Sequence, residues 1–406
     1  MGLVSVKDEN LEVIKMKIGI IGKLLIAMVI GAAVGLFAPD WCMRALNSFG
    51  GTFGQFIKFF VPLIIIGLVT PAIAESGKGA GKILLATMTV AYISTLLSGA
   101  YAFCVSDFVF PRILENTLGP LCETKEFPAY FIFKIPPLMG VTTALAVAFI
   151  FGLSMVALDL PNLKNVFNEI RSAVVLTLAK VLMPLLPLYI LTIIAELTAS
   201  GKLVVVGGES IKIMALAMAV TTTLLIIQYV IAGVITRRNP FKMLWCMLPA
   251  YLTGWGCCSS AATLPVTLRQ TRKIGVSDKV TDMVIPLCSN VHLSGSMANM
   301  VVYTAGFIVL GGGAISLPNY IEFMLMLSII AVASPGVPGG VVLSSAAIAE
   351  SALGFSPERY ALVVATYMAL DGMGTACNLT GDAAIASIVD KYFRKDPSGN
   401  NHAEGT

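Results

Sequence analysis

Four polar residues at helical spacing stand out near the C-terminal end of the chain. Asp371, Thr375, Asn378 and Asp382 follow one another at i, i+4, i+7 and i+11, so on a helix they share one face. The surrounding segment is long and apolar, and two carboxylates buried in a membrane usually mark an ion or substrate pathway. The alternative is a stripe that only bonds a neighbouring helix, but a packing face seldom needs two carboxylates.

The spacing of the two aspartates limits what they can do together. At about 1.5 Å of rise per residue, Asp371 and Asp382 lie about 16 Å apart along a helix. Two carboxylates at that distance cannot share a proton as a catalytic pair. The stripe therefore predicts two separate binding sites on one helix.

The composition indicates a polytopic membrane protein. Of the 406 residues, 57% are hydrophobic and only 12% are charged, and the mean hydropathy is +0.86, whereas soluble domains carry about 25% charged residues. The net charge of +4 comes from dispersed cations, so no nucleic-acid partner is expected. The eight cysteines show no metal-ligand spacing. Cys42 and Cys122 could pair, but free thiols are the favoured interpretation.

The apolar segments predict an all-α fold with eight transmembrane helices and two re-entrant helical hairpins. The predicted spans are residues 18–38, 50–74, 83–108, 138–160, 165–197, 212–236, 278–310 and 358–392. Two more apolar stretches, 243–271 and 319–354, are interrupted by GWGCCSSAATLP (254–265) and SPGVPGG (334–340). Each half of such a stretch is too short to cross a bilayer, which predicts a hairpin whose tip is buried in protein.

The C-terminal part contains two similar units, each a hairpin followed by a span. Both spans carry a polar interruption, SNVHLSGS (289–296) and CNLTGD (377–382). Interrupted segments at corresponding places of two halves indicate a transporter site near the midplane. With the N-terminus inside, most of the 27 Lys and Arg residues fall on the inner side. Both termini are therefore predicted to be cytoplasmic, and the hairpins form an inverted repeat.

Four motifs resemble one transporter family. SSAATLPVTLRQTRKIGVSD (259–278), PGVPGG (335–340), NLTGDA (378–383) and FVPLIIIGLV (60–69) are similar to segments of the dicarboxylate/amino acid:cation symporters, the glutamate-transporter-like family, and the three C-terminal motifs together are specific. The resemblance implies an elevator-type homotrimer in a membrane lipid environment. It also implies sodium as the coupling ion, a small-molecule amino acid as the substrate, no organic cofactor and no enzymatic activity.

The resemblance also implies a division into domains. Residues 1–240 are expected to be mainly scaffold and trimerisation spans, with the third and sixth spans contacting or joining the transport domain. Residues 241–393 are expected to form the transport core, and 394–406 a disordered cytoplasmic tail. We expect the protein in the inner membrane of a bacterial cell.

The family roles can be transferred to matching positions. Asp371 matches the carboxylate that binds the α-amino group, and Asn378 matches the side chain that binds the α-carboxylate. The full set of implied substrate positions is Ser259, Ser260, Val337, Pro338, Gly339, Asp371, Gly374, Thr375 and Asn378. The implied sodium ligands are Tyr92, Thr95, Ala331, Ser334, Asn378 and Asp382. Hard oxygen ligands and broken helix ends suit sodium.

One departure from the family concerns the substrate. Members that carry acidic substrates place an Arg at the position of Gly374, or just before the hairpin serines at Cys258, and this chain has neither. A buried substrate carboxylate without a partner would cost several kcal/mol. Asp371, by contrast, needs a cation. Together these residues predict a zwitterionic amino acid with a neutral, small or polar side chain, and Gly374 is expected to leave room for something larger.

A second departure lies in the seventh span. The family motif is close to NMDGT, whereas this chain reads HLSGS over residues 292–296. The missing Asp predicts a weakened or absent sodium site. Histidine has an ordinary pKa of about 6.5, so His292 could carry a coupling proton, or it could be a neutral structural residue. Either way, the coupling stoichiometry is expected to differ from that of the best-known members.

Three other functions compete with this interpretation. A carrier of acidic amino acids or dicarboxylates with its cation placed elsewhere is the nearest alternative. An intramembrane hydrolase could use Ser259, His292 and Asp371 as a triad, although no nucleophile motif supports it. A channel is the third, but two gated hairpins suit alternating access better.

Overall fold

The protein is described by a computed structural model that covers residues 20–75, 82–114, 127–201, 203–333 and 339–393. All regular structure in these ranges is helical. The first group of helices is α1 (Ile20–Phe37), α2 (Asp40–Glu75), α3 (Lys82–Ile113), α4 (Val141–Leu158), α5 (Pro161–Thr177), α6 (Met183–Ala199) and α7 (Leu203–Thr236). The second group is α8 (Pro240–Cys257), α9 (Ser260–Lys273), α10 (Asp278–Val291), α11 (Ser294–Leu310), α12 (Leu317–Ala333), α13 (Gly340–Ser344), α14 (Ala346–Leu353) and α15 (Pro357–Phe393).

The helices fall where the apolar segments predicted them. Within the described ranges, four helical stretches are long and apolar enough to cross a membrane, and a fifth candidate is bent by 45°. The four are Asp40–Pro71, Ala86–Ile113, Val206–Thr236 and Asp278–Leu310; the bent one joins Pro161–Leu182 to Pro184–Ala199. An all-helical membrane protein is therefore confirmed, while the number of eight spans stays a prediction.

The predicted fifth span contains a feature that its apolar pattern did not indicate. A short π-helical segment, Leu178–Leu182, joins α5 to α6, and Pro184 and Pro187 follow it. Proline lacks a backbone N–H and crowds the preceding turn, so helices commonly bend at such places. The bend is a consequence of these prolines.

Both predicted hairpins have two helical limbs. In the first hairpin (α8 and α9), the turn is made by Cys258 in a left-handed conformation with φ of 50°, and the Ser259 side chain caps α9 by accepting from the Ala262 N–H at 3.4 Å. In the second hairpin (α12 to α14), α12 ends at Ala333, and the returning limb divides at Ser345. The hairpin prediction agrees with these limbs, but the division at Ser345 was not predicted.

The two polar interruptions differ in structure. In the seventh predicted span, the backbone leaves the helix at His292 and Leu293, between α10 and α11. The predicted interruption at 377–382 is wrong for the backbone, because α15 runs unbroken through it. Within this segment, Asn378 bonds the N-terminus of α11 and Asp382 contacts His292, so these two side chains do not compete with the backbone hydrogen bonds of α15.

The core of the molecule is α11, in which all 17 residues are buried. It packs against α3, α7 and α15. Large apolar side chains on other helices are instead exposed, among them Val29, Ile150 and Val234. The chain therefore places its polar stripe against the most deeply buried helix.

Candidate functional site

The polar stripe of α15 meets α11 at a close approach of two glycines. A Cβ atom on Gly295 would lie 2.6 Å from the Gly374 carbonyl oxygen and 2.6 Å from the Cys377 Cβ. No side chain fits at this distance. The two helices can therefore bring their backbones together only with glycine at this position, and the contact fixes how the stripe faces α11.

The side chain of Asn378 caps the N-terminus of α11. Its Oδ1 accepts hydrogen bonds from the N–H groups of Gly295 at 2.7 Å and Ser296 at 3.2 Å, and its Nδ2 donates to the Ser296 hydroxyl at 2.9 Å. The Leu293 N–H is bound by the Thr95 hydroxyl from α3 at 3.2 Å. The first N–H groups of a helix have no partner within the helix, so these side chains hold the break between α10 and α11 in place.

Asp371 lies beside the second hairpin. Its side chain is buried, and its Oδ2 accepts a hydrogen bond from the Gly339 N–H at 2.8 Å. In the described part of the chain, no Lys, Arg or His side chain forms an ion pair with Asp371. A buried carboxylate is costly unless a charge or several hydrogen bonds compensate it. Asp371 thus offers an unfilled position for a cationic group.

Most of the predicted substrate positions that the structure describes line one cavity of about 50 Å³. It is lined by Cys258, Ser260, Ser289, Asn290, Leu293, Ser296, Ala331, Gly340, Val341, Tyr367, Asp371, Thr375 and Asn378. Ser259 does not line it, because its hydroxyl caps α9. Ser334, Val337 and Pro338 lie outside the described residues, and Gly339 contributes its N–H to Asp371.

Gly374 lies next to Asn299 of α11, and the expectation that it leaves room for a larger substrate stays a prediction. A Cβ atom at Gly374 would lie 2.9 Å from Asn299 Nδ2. Asn299 belongs to α11 and its side chain is only 2% exposed. The space that a longer residue at 374 would use is therefore already filled from the neighbouring helix.

Asp382 has a partner of its own. His292 Nδ1 lies 2.9 Å from Asp382 Oδ1, and both side chains are fully buried. The other ring nitrogen, Nε2, lies 3.1 Å from the Ser94 hydroxyl, to which Gln228 Nε2 also donates at 3.4 Å. The second carboxylate oxygen, Asp382 Oδ2, is buried and accepts no hydrogen bond.

The other predicted sodium ligands that the structure describes each contact a different group. The Tyr92 hydroxyl lies 2.7 Å from the Ser328 hydroxyl of α12, and Thr95 is engaged with Leu293. Ala331 lines the cavity. Cys42 carries a free thiol, and Cys122 lies outside the described residues.

The hydrolase triad is not assembled. The ring nitrogens of His292 face Asp382 and Ser94 rather than Asp371 and Ser259. The hydroxyl of Ser259 instead caps a helix. These contacts leave the triad without the nucleophile–base bond that it requires.

Several residues at these sites were not singled out from the sequence. Tyr367 precedes Asp371 by four residues, so the helical spacing of the stripe could have identified it. Ser94, Gln228 and Asn299 lie on other helices. No local pattern marks them, and only the packing of α3, α7 and α11 brings them to the stripe.

Comparison with known proteins shows the family of this chain. The sodium:dicarboxylate symporter family matches residues 20–392. Relatives named serine/threonine transporter SstT, from Streptococcus agalactiae serotypes III, Ia and V, are each 25% identical over 395 residues. Each alignment covers 92% of this chain and 96% of the relative. The chain therefore belongs to the sodium:dicarboxylate symporter family and is an integral membrane symporter rather than an enzyme.

Proposed function

We propose that this protein couples sodium entry to the uptake of a neutral, small or polar amino acid. The observation that carries the proposal is Asp371, a buried carboxylate beside a cavity, with no cationic side chain paired to it among the described residues. The α-ammonium group of an amino acid supplies the missing positive charge. The lining of the cavity contains no Arg or Lys for a substrate side-chain carboxylate, which disfavours the acidic amino acids and dicarboxylates of the alternative.

The relatives support the same substrate class. Their name assigns them serine and threonine, both neutral and polar. In this chain the α-carboxylate would be received near Ser260, Thr375 and Asn378, which line the cavity together with Asp371. A small zwitterion is thereby bound at both charged ends.

Sodium as the coupling ion is supported by the oxygens around Asp382. The buried Asp382 Oδ2 has no hydrogen-bond donor, and a hard anionic oxygen without a donor suits a small hard cation. Asp382 would hold the ion, with Thr95 and Asn378 among the other implied ligands. A bound ion would supply the positive charge that its buried carboxylate lacks.

His292 as the carrier of a coupling proton stays a prediction. The contact of His292 with Asp382 occupies one of the two carboxylate oxygens. A proton shared between His292 and Asp382 would therefore compete with a sodium ion for the Asp382 carboxylate. The contact would equally hold a neutral imidazole as a structural hydrogen-bond partner, which is the competing interpretation.

The elevator mechanism is supported by the way the helices pack. The third and sixth predicted spans, α3 and α7, both contact α11 and α15, so we assign them to the moving transport core with residues 241–393. The remaining helices before residue 240 form the scaffold in this proposal. The homotrimer, the cytoplasmic termini and the bacterial inner membrane belong to the same proposal.

The test is thermal stabilisation of the purified protein by a panel of amino acids, in sodium or in potassium. A ligand that binds only the folded state raises its apparent stability. We expect neutral amino acids to raise the melting temperature in sodium and to have no effect in potassium. Stabilisation by aspartate or succinate alone would contradict the proposal and would assign the protein to the acidic alternative.

A further inference from the structure

Four side chains from different helices form a row of polar contacts that ends at Asp382. Gln228 of α7 donates from Nε2 to the Ser94 hydroxyl of α3 at 3.4 Å, and that hydroxyl lies 3.1 Å from Nε2 of His292. Nδ1 of His292, at the break between α10 and α11, lies 2.9 Å from Asp382 Oδ1. Each of these groups can donate or accept only certain hydrogen bonds, so the direction of the row can be determined.

The direction follows from the carboxylate at the end of the row. In the proposed function Asp382 holds sodium as an ionised carboxylate, which only accepts hydrogen bonds. Nδ1 of His292 must therefore carry a proton. In a neutral imidazole the other nitrogen is then an acceptor, so the Ser94 hydroxyl donates to Nε2. The oxygen of the same hydroxyl accepts from Gln228, and this is how the amide is oriented in the structure.

The proton of the Ser94 hydroxyl is available for the imidazole. Serine and threonine within helices often donate to the carbonyl group four residues earlier, and the hydroxyls of Thr95 and Ser98 on the same helix do so. In the described part of the chain, the Ser94 hydroxyl instead has its contacts with His292 and Gln228. Of these three hydroxyls of α3, Ser94 is thus the one that directs its proton to the ring.

Gly381, the residue before Asp382, lets the amide and the ring approach α15 closely. A Cβ atom at Gly381 would lie 2.7 Å from Gln228 Oε1 and 2.8 Å from His292 Cε1, so a side chain there would displace both groups. The His292 ring is fully buried, and its two nitrogens contact side chains of α3 and α15. The packing therefore holds the ring where Ser94 and Asp382 meet its opposite nitrogens.

We propose that Ser94, oriented by Gln228, is a positioning residue of the cation site, because it fixes His292 as the neutral tautomer with its proton on Nδ1. This tautomer donates to Asp382 Oδ1 and leaves Oδ2, which has no hydrogen-bond donor in the described chain, for the cation. With the proton on Nε2 instead, the Nδ1 lone pair would face the carboxylate and repel it. Groups that orient a metal ligand contribute to metal affinity without touching the metal. The inference rests on the proposed function, which requires Asp382 to be ionised.

The tautomer is measured by 15N NMR of the full chain labelled only at histidine. The chain contains two histidines, His292 and His402, so the background variant His402→Gln leaves the signals of His292 alone. The spectra are recorded in potassium at neutral pH, and the couplings to the ring C–H protons distinguish Nδ1 from Nε2. We expect one protonated nitrogen, Nδ1, in this background. In Ser94→Ala we expect the proton on Nε2 or in exchange between the two nitrogens.

The effect on the cation site is measured with sodium alone. The readout is the sodium concentration that gives half of the maximal rise in melting temperature, at constant ionic strength, and the melting temperature in potassium checks folding. Ser94→Thr keeps the hydroxyl, and its extra methyl group has room because Ser94 borders a cavity of about 470 Å³. Ser98→Ala is the matched control, since Ser98 lies one turn along α3, borders the same cavity and donates to a backbone carbonyl.

We expect Ser94→Ala to need about tenfold more sodium than the wild type, while Ser94→Thr and Ser98→Ala need as much as the wild type. A His292 ring protonated at Nε2, or at both nitrogens, in the otherwise unchanged protein would overturn the inference. Equal sodium requirements of Ser94→Ala and Ser98→Ala would overturn it too, and both outcomes leave the proposed function intact. If sodium does not stabilise the wild type at all, sodium coupling in the proposed function fails, and the positioning role of Ser94 fails with it.

Discussion

The two aspartates of α15 lie on one face of one helix, yet their surroundings are opposite. Asp371 meets a single backbone N–H from the second hairpin and has no cationic partner in the described chain. Asp382 is paired with the imidazole of His292. One carboxylate therefore depends on a charge that arrives from outside, whereas the other has a titratable side chain already in contact.

The difference between the two carboxylates explains how one helix could bind two different ligands. A buried carboxylate without a partner is unstable until something cationic binds, so Asp371 is suited to a substrate that comes and goes. The contact with His292 reduces the need of Asp382 for a bound cation. Because His292 also contacts Ser94 of α3, which Gln228 of α7 contacts in turn, the surroundings of Asp382 depend on these two helices. In the proposed function, substrate choice and ion coupling are thereby assigned to different ends of the α15 stripe.

The largest effect is expected at Asp371. Asp371→Asn keeps the shape of the side chain but removes the charge that pairs with the substrate ammonium, and removing one member of a buried charge pair costs about 2–5 kcal/mol. We expect sodium-driven uptake to fall by about 100-fold or more. Asp390→Asn is the control, because Asp390 bonds Ser277 at the other end of the helix, away from the cavity. Uptake above half of the wild-type rate in Asp371→Asn would contradict the assignment.

The next effect tests the glycine contact that lies between the two aspartates. Gly295→Ala places a Cβ within 2.6 Å of the Gly374 carbonyl, and overpacking of this kind costs about 1–3 kcal/mol. We expect a lower melting temperature and weaker binding of both substrate and sodium. Gly208→Ala on α7 has nothing within 4 Å of the added atom and should not destabilise the protein. Equal stability of the two variants would show that the helices are not in contact here.

A smaller effect is expected at His292. His292→Gln keeps a hydrogen-bonding side chain but cannot carry a proton at physiological pH. If the proton takes part in coupling, wild-type uptake depends on pH, and the variant loses that dependence while it still selects the same amino acids. The measurement is sodium-driven uptake as a function of pH. Superimposable pH profiles would assign His292 a structural role.

The smallest effect is expected at Tyr92, which is one of the predicted sodium ligands. Tyr92→Phe removes the 2.7 Å contact with Ser328, and one hydrogen bond contributes about 1 kcal/mol. We expect the sodium concentration at half-maximal uptake to rise by roughly fivefold, with an unchanged preference among amino acids. Tyr101→Phe is the control, because its hydroxyl contacts Thr223 on α7 at the same distance. A similar shift in both variants would remove Tyr92 from the sodium site.

Much of the candidate site could be predicted from the sequence. The helical spacing of Asp371, Thr375, Asn378 and Asp382 placed them on one face, and the structure turns that face toward α11. The break at His292 was predicted from its polar residues. The filled space beside Gly374 could not be predicted, because Asn299 reaches it from 75 positions earlier in the chain.

The sequence by itself determined the helical membrane class, the helical limbs of the two hairpins and the polar stripe, because hydropathy and periodicity are local properties of the chain. The resemblance of four motifs indicated the family. Only the tertiary structure decided which partner each carboxylate has. Asp382 contacts His292, and Asp371 accepts a hydrogen bond from the Gly339 N–H of the second hairpin. Hydrogen bonds and close packing act over a few ångströms in space, and the order of residues along the chain does not reveal such neighbours.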